Sequence, residues 1–386
     1  MRSIIKPQPT AQKVYRKQDS FVALRIQQAP THLLERIETI RANLENLDLP
    51  PDHRVVIRKA CEDWLGSESP HFLLHSYVLE EINRLDDSLI PRYLFYRYRY
   101  EVYPQAKILD QFPPCLQIEP TSVCNYRCGF CYQTDEDFTR KGEGHMGMMN
   151  LETFKKIVDQ AVGQCEAVTL ASRGEPLLHP QINEMLSYLS GKFLALKINT
   201  NASLLDERKC HALLGAGINT IVFSADAASE PSYSDFRVGG HLDRVLKNIE
   251  LFNTIRDKQY HHIRTITRVS GVKVPGTPDI EEMEKFWGKL VDQVAFVEYN
   301  PWEKVYVHPM NQIQTPCSDL WRRMFVWWDG KVNPCDVDYK STLCVGSVHS
   351  HSLSEIWRSS SYQKLREKHV ENARSSQSPC NRCIVV

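Results

Sequence analysis

From Leu116 onward, short β-branched runs alternate with amphipathic helical patterns, which predicts an α/β fold. It is a parallel sheet with helices outside, closed or partly closed into a barrel. Two more observations frame that core. The first 110 or so residues carry helical periodicity without a strand pattern. After Pro301 the alternation gives way to short segments rich in Trp, Pro and Cys. A chain of 386 residues has room for two or three domains, and its texture divides it at 1–110, 111–305 and 306–386.

Residues 1–20 are polar and basic, a loose arm. Leu33, Leu34, Ile37, Ile40 and Leu44 recur at helical spacing until Pro50-Pro51 breaks the pattern, and further helical stretches cover 54–65 and 72–85. In the core the strand candidates are 116–119, 167–171, 195–199, 220–224, 263–269 and 293–299. Helix candidates lie near 151–164, 181–189, 205–214, 242–255 and 280–291. In such sheets function gathers at the carboxyl ends of the strands.

Composition narrows the function. Lys+Arg and Asp+Glu balance at 47 each, so no global field draws the chain to nucleic acid or acidic lipid. The segment Arg92–Tyr100 interleaves Arg with aromatics, as single-strand-binding surfaces do, but with zero net charge a packed domain interface explains it better. No apolar run approaches the roughly 20 residues of a membrane span, and the first residues lack the apolar centre of a signal peptide. Twelve cysteines without a secretion signal imply a reducing compartment, by default the cytoplasm, and metal or redox chemistry.

The chemistry-bearing stretch is Cys124-Asn-Tyr-Arg-Cys128-Gly-Phe-Cys131-Tyr132, a C-x₃-C-x₂-C triad after the first core strand. Three thiols leave one iron of a 4Fe–4S cube without a protein ligand, an open corner of the kind catalytic metal sites keep. A zinc knuckle with a distant fourth ligand is the alternative. Gly174-Glu175-Pro176 follows the second strand, offering backbone groups and a carboxylate to an ammonium. Asn199-Thr-Asn201 ends the third strand, Ser224 ends the fourth, and Arg268 lies in the fifth, where it is able to hold a carboxylate bidentately.

Taken together, the triad with Phe130 and Tyr132, the Gly174–Pro176 turn and Asn199–Asn201 resemble the radical S-adenosylmethionine (SAM) superfamily over about residues 112–300. The resemblance implies a partial (β/α)₆ barrel. Cys124, Cys128 and Cys131 would bind a 4Fe–4S cluster whose fourth iron is chelated by SAM. Phe130 and Tyr132 would lie near the adenine, and the Gly174–Pro176 turn would take the amino group. Asn199, Asn201 and Ser224 would line the SAM site, with Asn199 and Asn201 near the ribose and Arg268 as carboxylate partner. Arg173 and Ala202 depart from the pattern, each standing where Gly is common.

In the tail, Cys317, Cys335, Cys380 and Cys383 are separated by 17, 44 and 2 residues. That spacing suits a closed zinc ribbon, which it slightly favours, or a fully ligated Fe–S cluster. The surroundings Trp328-Asp-Gly, Val345-Gly346-Ser and Ser354-Glu-Ile-Trp357 resemble the SPASM domain in its shorter, single-cluster ("twitch") form, which implies an auxiliary 4Fe–4S cluster on these four thiols. The resemblance further implies reductive cleavage of SAM to a 5′-deoxyadenosyl radical, with a flavodoxin or ferredoxin as one-electron donor. The expected outcome is dehydrogenation of a small polar substrate: a sugar, aminocyclitol or nucleotide sugar. A redox-neutral epimerase with Cys344 or Cys210 as hydrogen donor, and a peptide-modifying enzyme, are the alternatives. Neither nucleic acid nor a membrane is expected as partner.

Overall fold

The computed structural model describes residues 21–23, 31–68, 70–263, 265–274, 276 and 279–386; the arm expected over 1–20 lies outside them. A short strand, β1 (Phe21–Ala23), precedes four helices: α1 (Thr31–Asn43), α2 (Pro51–Gly66), α3 (Ser76–Asn83) and α4 (Ile90–Ala106). Pro51 opens α2, where its missing N–H costs nothing. The helices share a core that includes Ile37, Ile57, Phe72 and Leu94. That core also takes in Cys115, Ala167 and Leu194, at the amino ends of three core strands. The helical layer therefore covers the end of the sheet opposite to where function is expected.

The Arg–aromatic segment is the interior of α4. Tyr93, Phe95, Tyr96, Arg97, Tyr98 and Arg99 are all buried. Arg92 bonds both carboxylate oxygens of Glu166, at 2.8 and 2.6 Å, and Arg97 pairs with Glu101. It is a packed interface.

The core follows as β2 (Cys115–Ile118), α5 (Glu136–Thr139), α6 (Leu151–Ala161), β3 (Ala167–Leu170), α7 (Ile182–Leu189), β4 (Ala195–Thr200), α8 (Glu207–Gly215), β5 (Thr220–Ser224), α9 (Glu230–Phe236), α10 (Leu242–Gln259), β6 (Ile266–Lys273), α11 (Ile280–Trp287) and β7 (Gln293–Glu298). Side-chain oxygens of Asn150, Asp206 and Asp279 accept from the first-turn amides of α6, α8 and α11, which fixes where these helices start. β2 to β7 are parallel neighbours in chain order. One face (Ile118, Leu170, Ile198, Phe223, Val269) packs on Phe154, Leu186, Leu213, Ile249 and Trp287 of the outer helices. Because side chains alternate across a strand, Gln117, Thr169, Asn199, Ser224 and Arg268 share the opposite, concave face. β6 starts later and runs further than its β-branched run suggests, because a turn closed by Ile263 N–H to Tyr260 O precedes it and Ser270 to Lys273 still pair with β7.

The tail contains α12 (Asp319–Arg322), β8 (Arg323–Val326), β9 (Lys331–Asn333), β10 (Gly346–Ser347), α13 (Leu353–Trp357) and α14 (Ser360–Val370). Among the described residues the ten strands form one sheet, ordered β1-β7-β6-β5-β4-β3-β2-β8-β9-β10. It curves without closing: β1 edges β7, and β8 runs parallel to β2. The tail also packs on the core. Met324, Val326, Trp357 and Tyr362 belong to the same hydrophobic cluster as the barrel's outer face. No helix among the described residues is long and apolar enough to cross a membrane.

Candidate functional site

The triad loop leaves β2 at the carboxyl end of the sheet and is held from several directions. Thr121 Oγ1 donates to Gly147 O at 2.8 Å, Arg127 N–H donates to Val238 O at 2.9 Å, and Cys131 N–H closes a turn on Cys128 O at 2.9 Å. The Gly174–Glu175 turn lies directly against it, with Glu175 N–H bonded to Val123 O at 2.9 Å. A Cβ on Gly174 would stand 2.4 Å from Val123 O and 2.5 Å from Thr121 O, so this close approach requires glycine. Asn201 Nδ2 donates to Asn125 Oδ1, and Asn125 Nδ2 to Ser203 Oγ, each at 3.0 Å. The turn after β3 and the end of β4 are thereby tied to the loop carrying the thiols.

Burial pushes Cys124 up to about 12 despite the Tyr126 amide pointing at its sulfur, and raises Cys128 and Cys131 as well. A bound cation lowers such thiols and makes them ligands. Arg237, which sequence reasoning missed, adds positive charge. Its guanidinium is buried, bonds Asp226 Oδ2 at 2.5 Å, lies 5.8 Å from the Phe130 ring and pulls the Cys128 thiol downward. Three thiols carried on one eight-residue loop are by their chemistry the donor set of a cluster with an open corner.

Other predicted residues have different surroundings. Glu175 turns its carboxylate into the fold, accepting from Leu177 N–H, Thr200 Oγ1–H and Asn201 N–H at 3.1, 2.7 and 2.7 Å. It locks the turn, and the turn's backbone is what remains for a ligand's ammonium. Tyr132 stacks on Tyr339 with ring centroids 4.9 Å apart and donates to Ser172 O at 2.8 Å, which places its ring in a seam with the tail. Phe130 is half-buried. Arg268 bonds Gln293 Oε1 at 2.7 Å through Nε, and Gln293 Nε2 bonds Glu80 of α3 at 2.6 Å. It is drawn toward the helical layer below the mouth, not to the triad. Asn199 Oδ1 and Ser172 Oγ are buried without a hydrogen-bond partner among the described residues, polar atoms a ligand at the mouth would satisfy. Ser224 ends β5 on the concave face, opposite Ser270. Ala202 adopts φ +60°, which explains why glycine is common there.

Cys317, Cys335, Cys380 and Cys383 line one cavity with His369 and Arg374. Asn300 Nδ2 donates to Cys383 Sγ at 3.6 Å. Arg374 gathers the loops by donating to the carbonyls of Thr315, Cys380, Cys383 and Val385 at 2.7–3.2 Å. Burial again raises the Cys317, Cys335 and Cys380 thiols. Cys344 lies apart: exposed, its thiol donates to Gly346 O at 3.4 Å. Cys210 is buried in the core on the helix side of the sheet. Cys210 therefore does not face the mouth.

The triad loop and the tail meet across a built seam. Arg173 makes bonds of 2.7 and 2.6 Å to the two oxygens of Glu119 and donates to Tyr339 O at 2.8 Å. Its guanidinium sits 4.3 Å from the Trp327 ring. Tyr339 O–H donates to Asp135 Oδ2 at 2.5 Å, where Lys340 Nζ also arrives at 2.7 Å. Glu303 follows β7 beside this seam; Oε1 accepts from Tyr299 O–H at 2.5 Å, while Oε2 is buried without a partner among the described residues.

Comparison with known proteins agrees with this arrangement. Residues 118–267 match the model of the radical SAM superfamily, and residues 317–384 match SPASM, an iron–sulfur cluster-binding domain; this replaces the zinc ribbon that spacing alone favoured. The chain is 30% identical over 308 residues to the tungsten-containing aldehyde ferredoxin oxidoreductase cofactor-modifying protein of Pyrococcus furiosus, covering 65% of this chain and 82% of that one. Similarity to a probable GTP 3′,8-cyclase of Methanococcus maripaludis is 28% identity over 131 residues, 34% of this chain and 42% of the relative. The crystal structure of Streptococcus suis SuiB bound to the precursor peptide SuiA superposes with a TM-score of 0.52 at 15% identity, covering 90% of this chain and 82% of that one.

Proposed function

Since this chain belongs to the radical SAM superfamily and carries a C-terminal SPASM iron–sulfur domain, we propose that it dehydrogenates a small polar molecule in a SAM-dependent radical reaction. Membership brings SAM, a SAM-binding 4Fe–4S cluster and an auxiliary Fe–S cluster. When bound, these groups supply the chemistry: one electron cleaves SAM to methionine and a 5′-deoxyadenosyl radical, which takes hydrogen from a substrate carbon, and the auxiliary cluster accepts the electron left behind. Cys124, Cys128 and Cys131 hold the first cluster, and Cys317, Cys335, Cys380 and Cys383 hold the second. The Gly174–Pro176 backbone, Asn199, Ser172 and Ser224 orient SAM.

One observation carries the choice of oxidation. The tail gathers four thiols, of Cys317, Cys335, Cys380 and Cys383, around one cavity, enough to ligate every iron of a cubane. A cluster so closed has no corner for substrate, which leaves electron transfer as its role. A carbinol oxidised to a ketone must also lose its hydroxyl proton, and the unpartnered Oε2 of Glu303 is the acceptor at the seam. Sugars, aminocyclitols and nucleotide sugars are the preferred class. The 30% identical relative, named for modifying a cofactor, favours a small molecule over a peptide, whereas the fold shared with SuiB keeps a peptide as the second reading. The outcomes separate in D₂O with SAM and dithionite: a product two electrons more oxidised, without solvent deuterium at the reacting carbon, supports dehydrogenation. Deuterium there with no oxidation refutes it.

A further inference from the structure

His369 lies in α14 and is fully buried, and its ring lines the cavity shared by the four tail thiols. The backbone N–H of Cys317 donates to His369 Nδ1 at 3.2 Å. A backbone amide is only a donor, so Nδ1 carries no proton. The ring is then neutral, with its hydrogen on Nε2. That Nε2–H is buried and has no acceptor in the protein among the described residues. A buried N–H without an acceptor is costly, and such groups rarely persist unless something not made of protein satisfies them. Arg374, a cationic residue of the same lining, already directs Nε, Nη1 and Nη2 at backbone carbonyls.

We propose that His369 Nε2–H donates a hydrogen bond to a sulfur of the auxiliary cluster and holds its reduction potential up. The inference rests on Cys317, Cys335, Cys380 and Cys383 being the ligands. Each added electron makes cluster and sulfurs more negative, so a donor fixed on sulfur stabilises the reduced state more than the oxidised one. A cluster whose task is to accept an electron needs that bias. Through Nδ1 the same ring fixes the backbone of Cys317, so α14 positions both a ligand and the donor that tunes it. His369 is a positioning residue; it touches no reacting carbon.

The test uses the full reconstituted chain, with the auxiliary signal isolated in a Cys124→Ala, Cys128→Ala, Cys131→Ala background. His369→Asn keeps an amide oxygen near the place of Nδ1 for the Cys317 N–H and leaves nothing at the place of Nε2. His369→Gln does the converse. In potentiometric titrations followed by EPR, the reduced-to-oxidised ratio at a fixed potential should fall about tenfold in His369→Asn, about 59 mV for a one-electron couple, and stay close to the parent in His369→Gln. A residue that only supports the Cys317 loop would show the reverse, and that result overturns the proposal. Pulsed EPR of the parent labelled with ¹⁵N-histidine should show histidine nitrogen coupled to the reduced cluster. If it is absent the proposal fails, whether or not the variants take up iron. A triad-free parent holding no cluster at all would refute the four-thiol assignment and the inference with it.

Discussion

The Arg173–Glu119 pair offers the sharpest quantitative test of the seam. Glu119 is fully buried and Arg173 is 3% exposed. The carboxylate accepts three bonds from Arg173, including its backbone N–H, and one from Trp328 N–H at 3.2 Å. Arg173→Met would remove two of these and the bond to Tyr339 O, leaving a buried carboxylate facing two backbone amides. Removing one partner of a buried pair costs about 3–5 kcal/mol. At about 2–4 °C per kcal/mol, the apparent Tm should fall by about 6–20 °C, read by circular dichroism on reconstituted protein kept anaerobic. Arg173→Met with Glu119→Gln keeps an oxygen for the two amides and deletes the charge, so the double variant should regain at least half the loss. A single variant melting within about 1 °C of the parent, or a double variant losing the sum of both singles, would refute the reasoning.

Other expectations follow from the same geometry. Gly174→Ala should lower SAM affinity at least tenfold in equilibrium binding and destabilise by about 1–3 kcal/mol, because the new methyl meets the triad-loop carbonyls; unchanged affinity would contradict the close approach. Glu303→Gln should still release 5′-deoxyadenosine with substrate present while oxidised product falls at least a hundredfold, within the range of a general base; a parallel loss of both would place Glu303 in structure, not proton transfer. Cys380→Ala should cleave SAM with less than a tenth of the parent's oxidised product per 5′-deoxyadenosine, whereas Cys128→Ala should release none, as chromatography of the quenched reaction would show.

The parts legible in the sequence were those written locally. β-branched runs and helical periods located the six parallel strands, and spacing alone grouped the triad and the four tail thiols. Features made by distant partners were not legible. Arg173 reaches Glu119 across 54 positions and Tyr339 across 166, so its presence before Gly174 read as a mere departure from pattern. Arg268 looked free to hold a carboxylate because nothing in its strand names Gln293 or Glu80. The Glu175 carboxylate is consumed by β4, 25 and 26 positions away. The packing of Tyr132 on Tyr339 was not legible either, since it arises only because the tail folds back onto the triad loop. His369 carried no signal; only its burial and its bond to Cys317, 52 positions away, disclose a role.

The central claim is that one chain holds two clusters of different kinds, one open to SAM and one closed. Anaerobic reconstitution followed by iron and sulfide analysis, with Mössbauer spectra recorded with and without SAM, tests it most directly. The account predicts two 4Fe–4S clusters, about eight irons per chain, with SAM perturbing one iron site of one cluster only. Four irons per chain with zinc on the tail thiols, or spectra in which SAM perturbs neither cluster, would contradict it.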